Sequence, residues 1–334
     1  MPSYGEFSAF KTEVMTDLLK RFKRPNLIGV KILKKKPVAQ KTAKWDIVEG
    51  SRNMGRYVSN GAEAPIRELT PRTRKSADIP LVKEKKVIDE DTKLFISKPG
   101  TQNQKYGEQA VADELEQLNR VIDNRHEQSI WQALTEGHLN IDQTDPPVKF
   151  FIDFEMSATH QIEKTGTARW SQTTTAKPFS DILTWKKLIA RDTWENATDA
   201  YMNSTTMNNM LANTLEVQEL LKYTYGNEFL KNGILARIAG VDITVYDISY
   251  KDKDNTVKYF IPDNRVIVLA KPNLGKAFIG PSEIPKKGGG TSVVTGKFAY
   301  SWNTKDPVDT WVLAGNRRLD VMQSPDQLVQ VKVG

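Results

Sequence analysis

The sequence predicts an α+β fold with one very long helix, a projecting β-hairpin and a strand-rich C-terminal part. Apolar residues keep helical spacing through residues 105–137, which corresponds to roughly 45–50 Å of helix. Residues 45–80 alternate like strands, but they contain few large apolar side chains and many glycines and prolines. From Ile234 onward the pattern is mostly that of strands, with loops predicted at 251–255 and 280–297.

Composition places the chain among ordinary globular proteins and excludes several kinds of chemistry. Hydrophobic residues make up 39% of the 334 residues and charged residues 27%. Because there is no cysteine, disulfides, thiolate nucleophiles and cysteine metal sites are excluded. No apolar run approaches the ~18–20 residues that span a bilayer, so we expect no membrane partner. The N-terminal residues do not have the pattern of a secretory signal.

The net charge of +7 is concentrated at the N-terminal end. Residues 1–44 contain eleven Lys and Arg residues and three acidic residues, a net +8, which leaves −1 for the remainder. A basic arm on a neutral body favours a polyanion or an acidic protein as partner. A solvated surface remains the alternative.

Residues 3–22 are predicted to form an amphipathic helix. Ser3 and Glu6 match a capping box, and Pro25 follows the helix. One apolar stripe at steps of three and four comprises Phe7, Phe10, Val14, Leu18 and Phe22. This helix either packs on the core of its own subunit or docks on a neighbouring one. Residues 26–44 are predicted to be extended.

The 45–80 segment is either disordered or a long hairpin that projects onto another surface. It cannot build a core of its own. Asn60-Gly61 is a turn dipeptide that suits the tip of a hairpin. We favour the hairpin, since Ile47, Val48, Tyr57 and Val58 give the segment strand character.

The middle of the chain combines the long helix with shorter elements. The helix passes through His126 and ends at Gly137, which suits a C-cap. Short strands are predicted around Pro146-Pro147. Two more helices are predicted at 178–200 and 203–223.

The common catalytic and metal-binding motifs are missing from the sequence. There is no nucleotide-binding glycine loop, no nucleophile elbow and no zinc-protease motif. The three histidines lack metal-ligand spacing, and His126 is predicted to be a packed histidine. Asp89, Glu90 and Asp91 form an acidic run that is more typical of a solvated surface than of a metal site. We therefore expect a protein that is not an enzyme and has no cofactor.

The order of these segments resembles the lambda-type major capsid protein E family of tailed bacteriophages. The resemblance is clearest in GVDITVYDISY at 240–250, YFIPDNRVIVL at 259–269 and DPVDTWVLAGNRRLDVMQSPDQLVQVKV at 306–333. In the last of these, Pro325-Asp326 precedes a final strand. IPLVKEKKVIDED at 79–91 and RHEQSIWQALTEG, which closes the long helix, are also similar to the family.

The resemblance implies an HK97-like capsid fold with five parts. These are an N-terminal helix and basic arm at 1–44, an extended loop (E-loop) at 45–80, a peripheral domain at 81–177 with its spine helix at 105–137, an axial domain at 178–320, and a C-terminal strand at 321–334 that returns to the peripheral region. The implied function is a major capsid protein that self-assembles into hexamers and pentamers of an icosahedral phage head enclosing double-stranded DNA.

The implied partners are other copies of the chain, a portal, a scaffold, a decoration protein and packaged DNA. The implied location is the virion, after assembly in the host cytoplasm. We expect no covalent crosslink between subunits. Intersubunit ion pairs are expected between the cations Arg52, Arg56, Arg67, Arg72, Arg74 and Lys75 and the acidic residues Asp89, Glu90 and Asp91. The residues expected to contact DNA or scaffold are Lys20, Arg21, Lys23, Arg24, Lys34, Lys35 and Lys36.

Two other functions remain open at this point. An encapsulin-like compartment shares the implied fold but encloses enzymes, and the basic arm favours the phage head over it. A soluble nucleic-acid-binding enzyme would form a monomer or a small oligomer, and no nucleic-acid-binding motif supports it.

Overall fold

The computed structural model describes most of the chain. It covers residues 10–24, 26–48, 54, 57–64, 66, 72–88, 92, 102–144, 147–220, 237–252, 254–271, 274–286, 289–304 and 309–334. The helices are α1 Thr12–Arg21, α2 Gly29–Ile32, α3 Gln102–Glu136, α4 Pro178–Thr193, α5 Ser204–Leu211 and α6 Val217–Leu220. The α+β fold predicted from the sequence is confirmed.

Most strands belong to two larger sheets or to hairpins. They are β1 Lys34–Pro37, β2 Thr42–Val48, β3 Arg72–Asp78, β4 Leu81–Ile88, β5 His138–Thr144, β6 Pro147–Asp153, β7 Gln161–Glu163, β8 Asp199–Met202, β9 Arg237–Ile238, β10 Val241–Val245, β11 Ser249–Lys251, β12 Val257–Tyr259, β13 Arg265–Leu269, β14 Gly275–Ile279, β15 Pro281–Pro285, β16 Thr291–Thr295, β17 Phe298–Asn303, β18 Thr310–Met322 and β19 Leu328–Lys332.

The first sheet has five strands built around the long strand β18. It runs β1-β14-β18-β17, and β4 also pairs with β18. One face, with Ala299, Val312 and Ala314, is buried against α1 and the N-terminal half of α3. On the opposite face, the β15–β16 hairpin covers Phe298 and Leu313, whereas Tyr300, Trp302 and Trp311 are half-buried. We call this opposite face the open face.

The second sheet has six strands in the order β7-β19-β13-β8-β10-β9. Successive residues of β13 point to opposite faces. Ile267 and Leu269 pack with Trp131 of α3, whereas Val266 and Val268 pack with Trp185 of α4. Both faces of this sheet are therefore covered within the chain.

The last strand joins segments that we assigned to two different domains. Leu328–Lys332 pairs with β13, from the segment assigned to the axial domain, and with β7, from the segment assigned to the peripheral domain. The return of the last strand to the peripheral region stays a prediction. It is β18 that joins β4 and β17. Which sheet takes a strand is decided by pairing with residues far away along the chain, and local sequence does not report that.

The spine helix is confirmed as Gln102–Glu136. Val111, Leu115, Leu118 and Ile122 are buried as predicted, and Gly137 follows with φ +71°. His126 is a packed residue, 3% exposed.

The N-terminal region is less extended than predicted. In the described residues α1 begins at Thr12, and the Ser3–Glu6 capping box lies outside them. Helix α1 buries Met15 and Leu19, whereas Val14 is 46% exposed. The region that we predicted as extended contains the short helix α2. Its first backbone N–H groups are bound by the distant Glu127, so tertiary contact rather than local sequence forms it.

Three further predictions need correction. The predicted helix 178–200 ends at Thr193, because Trp194 adopts a left-handed conformation with φ 61°. The predicted helix 203–223 is broken at Asn213, whose Oδ1 accepts from Glu216 N–H and starts α6. The predicted loop 280–297 is instead the β15–β16 hairpin, and its turn includes Gly289 and Gly290 at positive φ.

Candidate assembly surfaces

The β2–β3 hairpin packs on the core at its base, and apolar side chains between the two strands are exposed. Strands β2 and β3 pair antiparallel, from Thr42 opposite Asp78 to Val48 opposite Arg72. Trp45 is 4% exposed in the main core. Near the tip, Ala62 N–H donates to Ser59 O at 3.1 Å, and Gly61 has φ +87°, so the predicted Asn60-Gly61 turn is confirmed.

Apolar side chains on this arm have little cover from their own subunit. Tyr57 is 106% exposed, Ile66 is 96% exposed and Met54 is 87% exposed. Val58 is half-exposed. Large apolar groups left in water on a projecting segment are typical of a contact surface for another molecule.

The open face of the five-stranded sheet carries a row of aromatic rings. Phe298 and Tyr300 stack with centroids 6.3 Å apart, Tyr300 and Trp302 lie 5.7 Å apart, and Trp302 and Trp311 stack at 6.1 Å. Lys85 on β4 extends this row, with its Nζ 4.5 Å from the Trp311 ring centroid.

Glycine makes this ring packing possible at one position. Gly315 lies opposite Phe298, and a Cβ there would stand 2.5 Å from the ring. Beside the aromatic row, Val87 is 37% exposed and Leu81 is 36% exposed. The open face is thus apolar and aromatic, with lysines at its margin.

The cations predicted to form intersubunit pairs are only partly within the described residues. Arg74 pairs with Asp46 on the neighbouring strand at 2.9 Å, and this contact lowers the pKa of the Asp46 carboxyl. Lys75 pairs with Glu155 at 2.7 Å. Arg72 is exposed at the end of the paired region. The other predicted members lie outside the described residues: Arg52, Arg56, Arg67, Asp89, Glu90 and Asp91.

The basic arm is bound to the spine helix by a buried carboxylate. Glu127 accepts from Gly29 N–H at 2.7 Å and from Val30 N–H at 2.9 Å. It also accepts from Trp131 Nε1 at 2.7 Å and from the Tyr246 hydroxyl at 2.6 Å. Burial, followed by this carboxylate, raises the pKa of Tyr246. The arm is therefore built into the subunit at α2.

A polar seam continues along the same side of α3. Lys297 lies 2.7 Å from Asp123, and burial lowers the Lys297 pKa despite this partner. Arg318 and Asp320 form a buried ion pair at 2.7 Å. Asn316 hydrogen-bonds to His126 at 3.2 Å. Burial, with the charges of Arg318, Lys297 and Arg125, holds the His126 pKa well below its usual range.

Sequence reasoning missed Glu127 and this seam. A single glutamate on an amphipathic helix has no local signal for burial, because its partners Gly29, Val30 and Tyr246 are about a hundred residues away in either direction. Within the described residues, no three His, Asp or Glu side chains are grouped so that they could hold a metal ion. None of the helices in that part of the chain is long and apolar enough to cross a membrane.

Several solved structures share this fold across almost the whole chain. A putative capsid protein of a prophage in E. coli CFT073 is 17% identical, with 97% of this chain and 99% of that one covered and a TM-score of 0.65. A phage-related protein from Bordetella bronchiseptica RB50 is 14% identical, with 96% of each chain covered and a TM-score of 0.59. The mature capsid of bacteriophage PhiM1 is 12% identical over 93% of this chain and 87% of that one, with a TM-score of 0.52.

At these identities the likeness establishes the fold, which is the HK97-like capsid fold. The family match establishes more. Residues 12–333 match the phage major capsid protein E family. The chain therefore belongs to the phage major capsid protein E family and is a capsid shell protein, a self-assembling component of the virion head.

Proposed function

We propose that this shell protein assembles as hexamers and pentamers into an icosahedral phage head that encloses double-stranded DNA. The observation that carries the proposal is a pair of unmatched surfaces on one subunit. The hairpin arm has Tyr57 and Ile66 in water, and the open face has an aromatic row in which Tyr300, Trp302 and Trp311 are half-buried. Two different unmatched patches on one chain suit head-to-tail contacts, which close into rings when the rotation between copies allows it.

In this proposal the hairpin arm of each copy covers the aromatic row on the open face of the next, and leaves the β1 edge of the sheet free. Burying Tyr57, Ile66 and Met54 against aromatic rings would stabilise the contact at about 25 cal/mol per Å² of apolar surface removed from water. Interfaces of obligate assemblies bury thousands of Å² in this way. The subunit is not expected to be catalytic in this structural role.

Ion pairs between copies are a further part of the proposal. Arg72 is exposed on the arm, and the Arg74 side chain is 76% exposed although it pairs with Asp46. Reversing both charges (Arg72→Glu with Arg74→Glu) should reduce the yield of assembled particles. An unchanged yield would remove these two arginines from the interface.

Negative-stain microscopy of the purified full chain tests the shell itself. We expect closed polyhedral particles or rings of five and six subunits. Discrete small particles over the whole range of protein and salt concentrations would overturn the proposal. Protection of double-stranded DNA from nuclease, in particles isolated from cells, tests the enclosed cargo, and particles that hold only protein would overturn that part.

The partners complete the proposal. A portal, a scaffold and a decoration protein are expected to join the shell during assembly in the host cytoplasm. The shell is expected to hold without covalent bonds between subunits. Boiled particles should therefore run on a denaturing gel as one band near 37.8 kDa, and a ladder of larger species would show crosslinking.

A further inference from the structure

The structure separates the basic arm into cations that are used within the subunit and cations that are not. Lys20 lies 3.8 Å from Asp17 of the same helix. Arg24 donates to Arg120 O at 3.5 Å and to Asn124 Oδ1 at 3.3 Å on the spine helix. Charge that is held in this way is less available to a partner.

Strand β1 carries the lysines that form no ion pair within the described part of the subunit. Lys34 and Lys36 are exposed at the edge of the five-stranded sheet, in parallel register with β14. Lys34 lies opposite Lys276, which is also exposed, and Lys36 lies opposite Phe278. The Lys36 Nζ stands 5.5 Å from the Phe278 ring centroid. Because alternate residues share a face, the three lysines lie on the same side of the sheet. We call them the lysine row.

The spacing of the lysine row is set by strand geometry. Lys34 and Lys36 are two residues apart, so their Cα atoms are about 6.6 Å from one another. Lys276 lies one strand away, at about 4.8 Å from Lys34. The three Cα atoms therefore stand at the corners of a triangle with sides of about 5 to 8 Å. Three separate ammonium groups on such a patch suit a chain of anions better than a single small ion.

The lysine row is also electrostatically unfavourable by itself. Like charges directly opposite on neighbouring strands destabilise a sheet. Within the described residues, none of Lys34, Lys36 and Lys276 forms an ion pair. The arrangement therefore costs stability in the free subunit, and a bound polyanion would remove that cost.

The edge itself is poorly suited to another strand. It is four residues long and ends at Pro37, and short, lysine-rich edges that end in proline oppose strand addition. A partner must then meet the side chains rather than the backbone. Lysine ammonium groups bind phosphate as point charges, without the fork geometry that pairs arginine with carboxylates.

We propose that Lys34, Lys36 and Lys276 form a contact row for the phosphates of the enclosed double-stranded DNA. The proposal rests on the proposed enclosure of DNA and narrows its contact from the whole arm to one sheet edge. It adds Lys276, which lies about 240 residues away in sequence and which the composition of the arm does not reveal. The contact is independent of base sequence, since ammonium groups meet only the backbone.

The test is a salt titration of DNA binding by the full-length chain. The triple variant Lys34→Gln, Lys36→Gln and Lys276→Gln is compared with a control of equal charge change, Lys149→Gln, Lys187→Gln and Lys251→Gln, whose lysines are also exposed. Binding to a random-sequence duplex is measured between about 50 and 200 mM salt. Each lost phosphate contact lowers the slope of log K against log salt by about 0.9, so the triple variant should lose about 2.7.

The expected result is this loss of slope in the triple variant, with the control close to the unaltered chain. Equal slopes for the two variants would overturn the proposal, and the lysines would then only protect the edge from strand addition. If the triple variant lost binding to polyglutamate but kept its binding to DNA, the proposal would also be overturned, in favour of an acidic protein partner. Thermal unfolding establishes that each variant is folded. Shell formation, followed by microscopy, tests the proposed function separately, since both variants should still assemble.

Discussion

The two large sheets of this subunit differ in how much of their surface the chain covers. The six-stranded sheet is buried on both faces, with Trp131 on one side and Trp185 on the other. The five-stranded sheet is covered by α1 and α3 on one face. Its other face is covered in part, by the β15–β16 hairpin over Phe298 and Leu313, and it carries the half-buried rings of Tyr300, Trp302 and Trp311. The six-stranded sheet is complete within one chain. The five-stranded sheet is completed, in our proposal, by another copy.

The difference explains how one chain can be both folded and ready to assemble. Stability of the free subunit should depend on the covered sheet and on the polar seam beside α3. Particle yield should depend in addition on the part of the open face that the subunit leaves half-exposed, beside Trp311. Substitutions in the two regions should therefore separate the free energy of unfolding from the yield of shells.

The largest effect is expected in the covered sheet. Trp185→Ala removes a ring that is 1% exposed and stacked on Trp170 at 5.8 Å, and it should lower the free energy of unfolding by roughly 3–5 kcal/mol. Trp194→Ala, at the residue that follows the same helix and is 70% exposed, should change the free energy of unfolding by less than about 0.5 kcal/mol. Urea unfolding of the free subunit measures both, and equal losses would contradict the description of a covered core.

A smaller loss is expected when the arm is released from the spine. Glu127→Ala leaves four buried donors without an acceptor, which should cost about 3 kcal/mol. Glu127→Gln keeps the shape and one acceptor oxygen, so its loss should be intermediate. Glu136→Ala, exposed on the same helix, is the control. A loss for Glu127→Ala no larger than the control's would show that α2 is held by other contacts.

Low pH should lower the free energy of unfolding through His126 in the polar seam beside α3. The pKa of His126 is lower in the folded chain than in the unfolded chain, so the unfolded chain binds the proton first. Stability from this group is complete above pH ~6.5 and falls at lower pH by at most about 1.4 kcal/mol per pH unit. The free energy of unfolding at pH 7.5 and 5.5 should therefore differ less in His126→Gln. His138→Gln, at an exposed site, should keep the full difference.

The smallest effect on folding is expected at the open face. Val87→Glu places a charge beside Trp311 at a site that is 37% exposed, so the free energy of unfolding should change by less than about 0.5 kcal/mol. The yield of closed particles should nevertheless fall clearly, because the charge would be buried by the neighbouring copy. Val257→Glu, at a 57% exposed site on a separate hairpin, is the control. A normal yield for Val87→Glu would show that this face remains in solvent.

Sequence patterns predicted the elements whose signals are local. The spine helix follows from the spacing of Val111, Leu115 and Ile122, and the hairpin tip follows from Asn60-Gly61. Patterns failed where a distant partner decides the conformation. Asn213, whose amide donates to the distant Ala176 O, breaks a helix that periodicity continues. Glu127 starts α2 in a segment that is predicted to be extended. Of the two candidate surfaces, the arm could be predicted from the sequence. The aromatic row could not, because its rings come from two strands, β17 and β18, whose register the sequence does not give.

The sequence by itself determined the fold class, the long helix, the projecting arm and the excess of positive charge at residues 1–44, because composition and short-range spacing carry these properties. Only the tertiary structure decided which lysines remain unpaired, which sheet takes the last strand and which sheet face stays open. The contacts that decide them include pairs of residues about 60 to 280 positions apart in the sequence. A local sequence pattern does not report which distant residues meet in space.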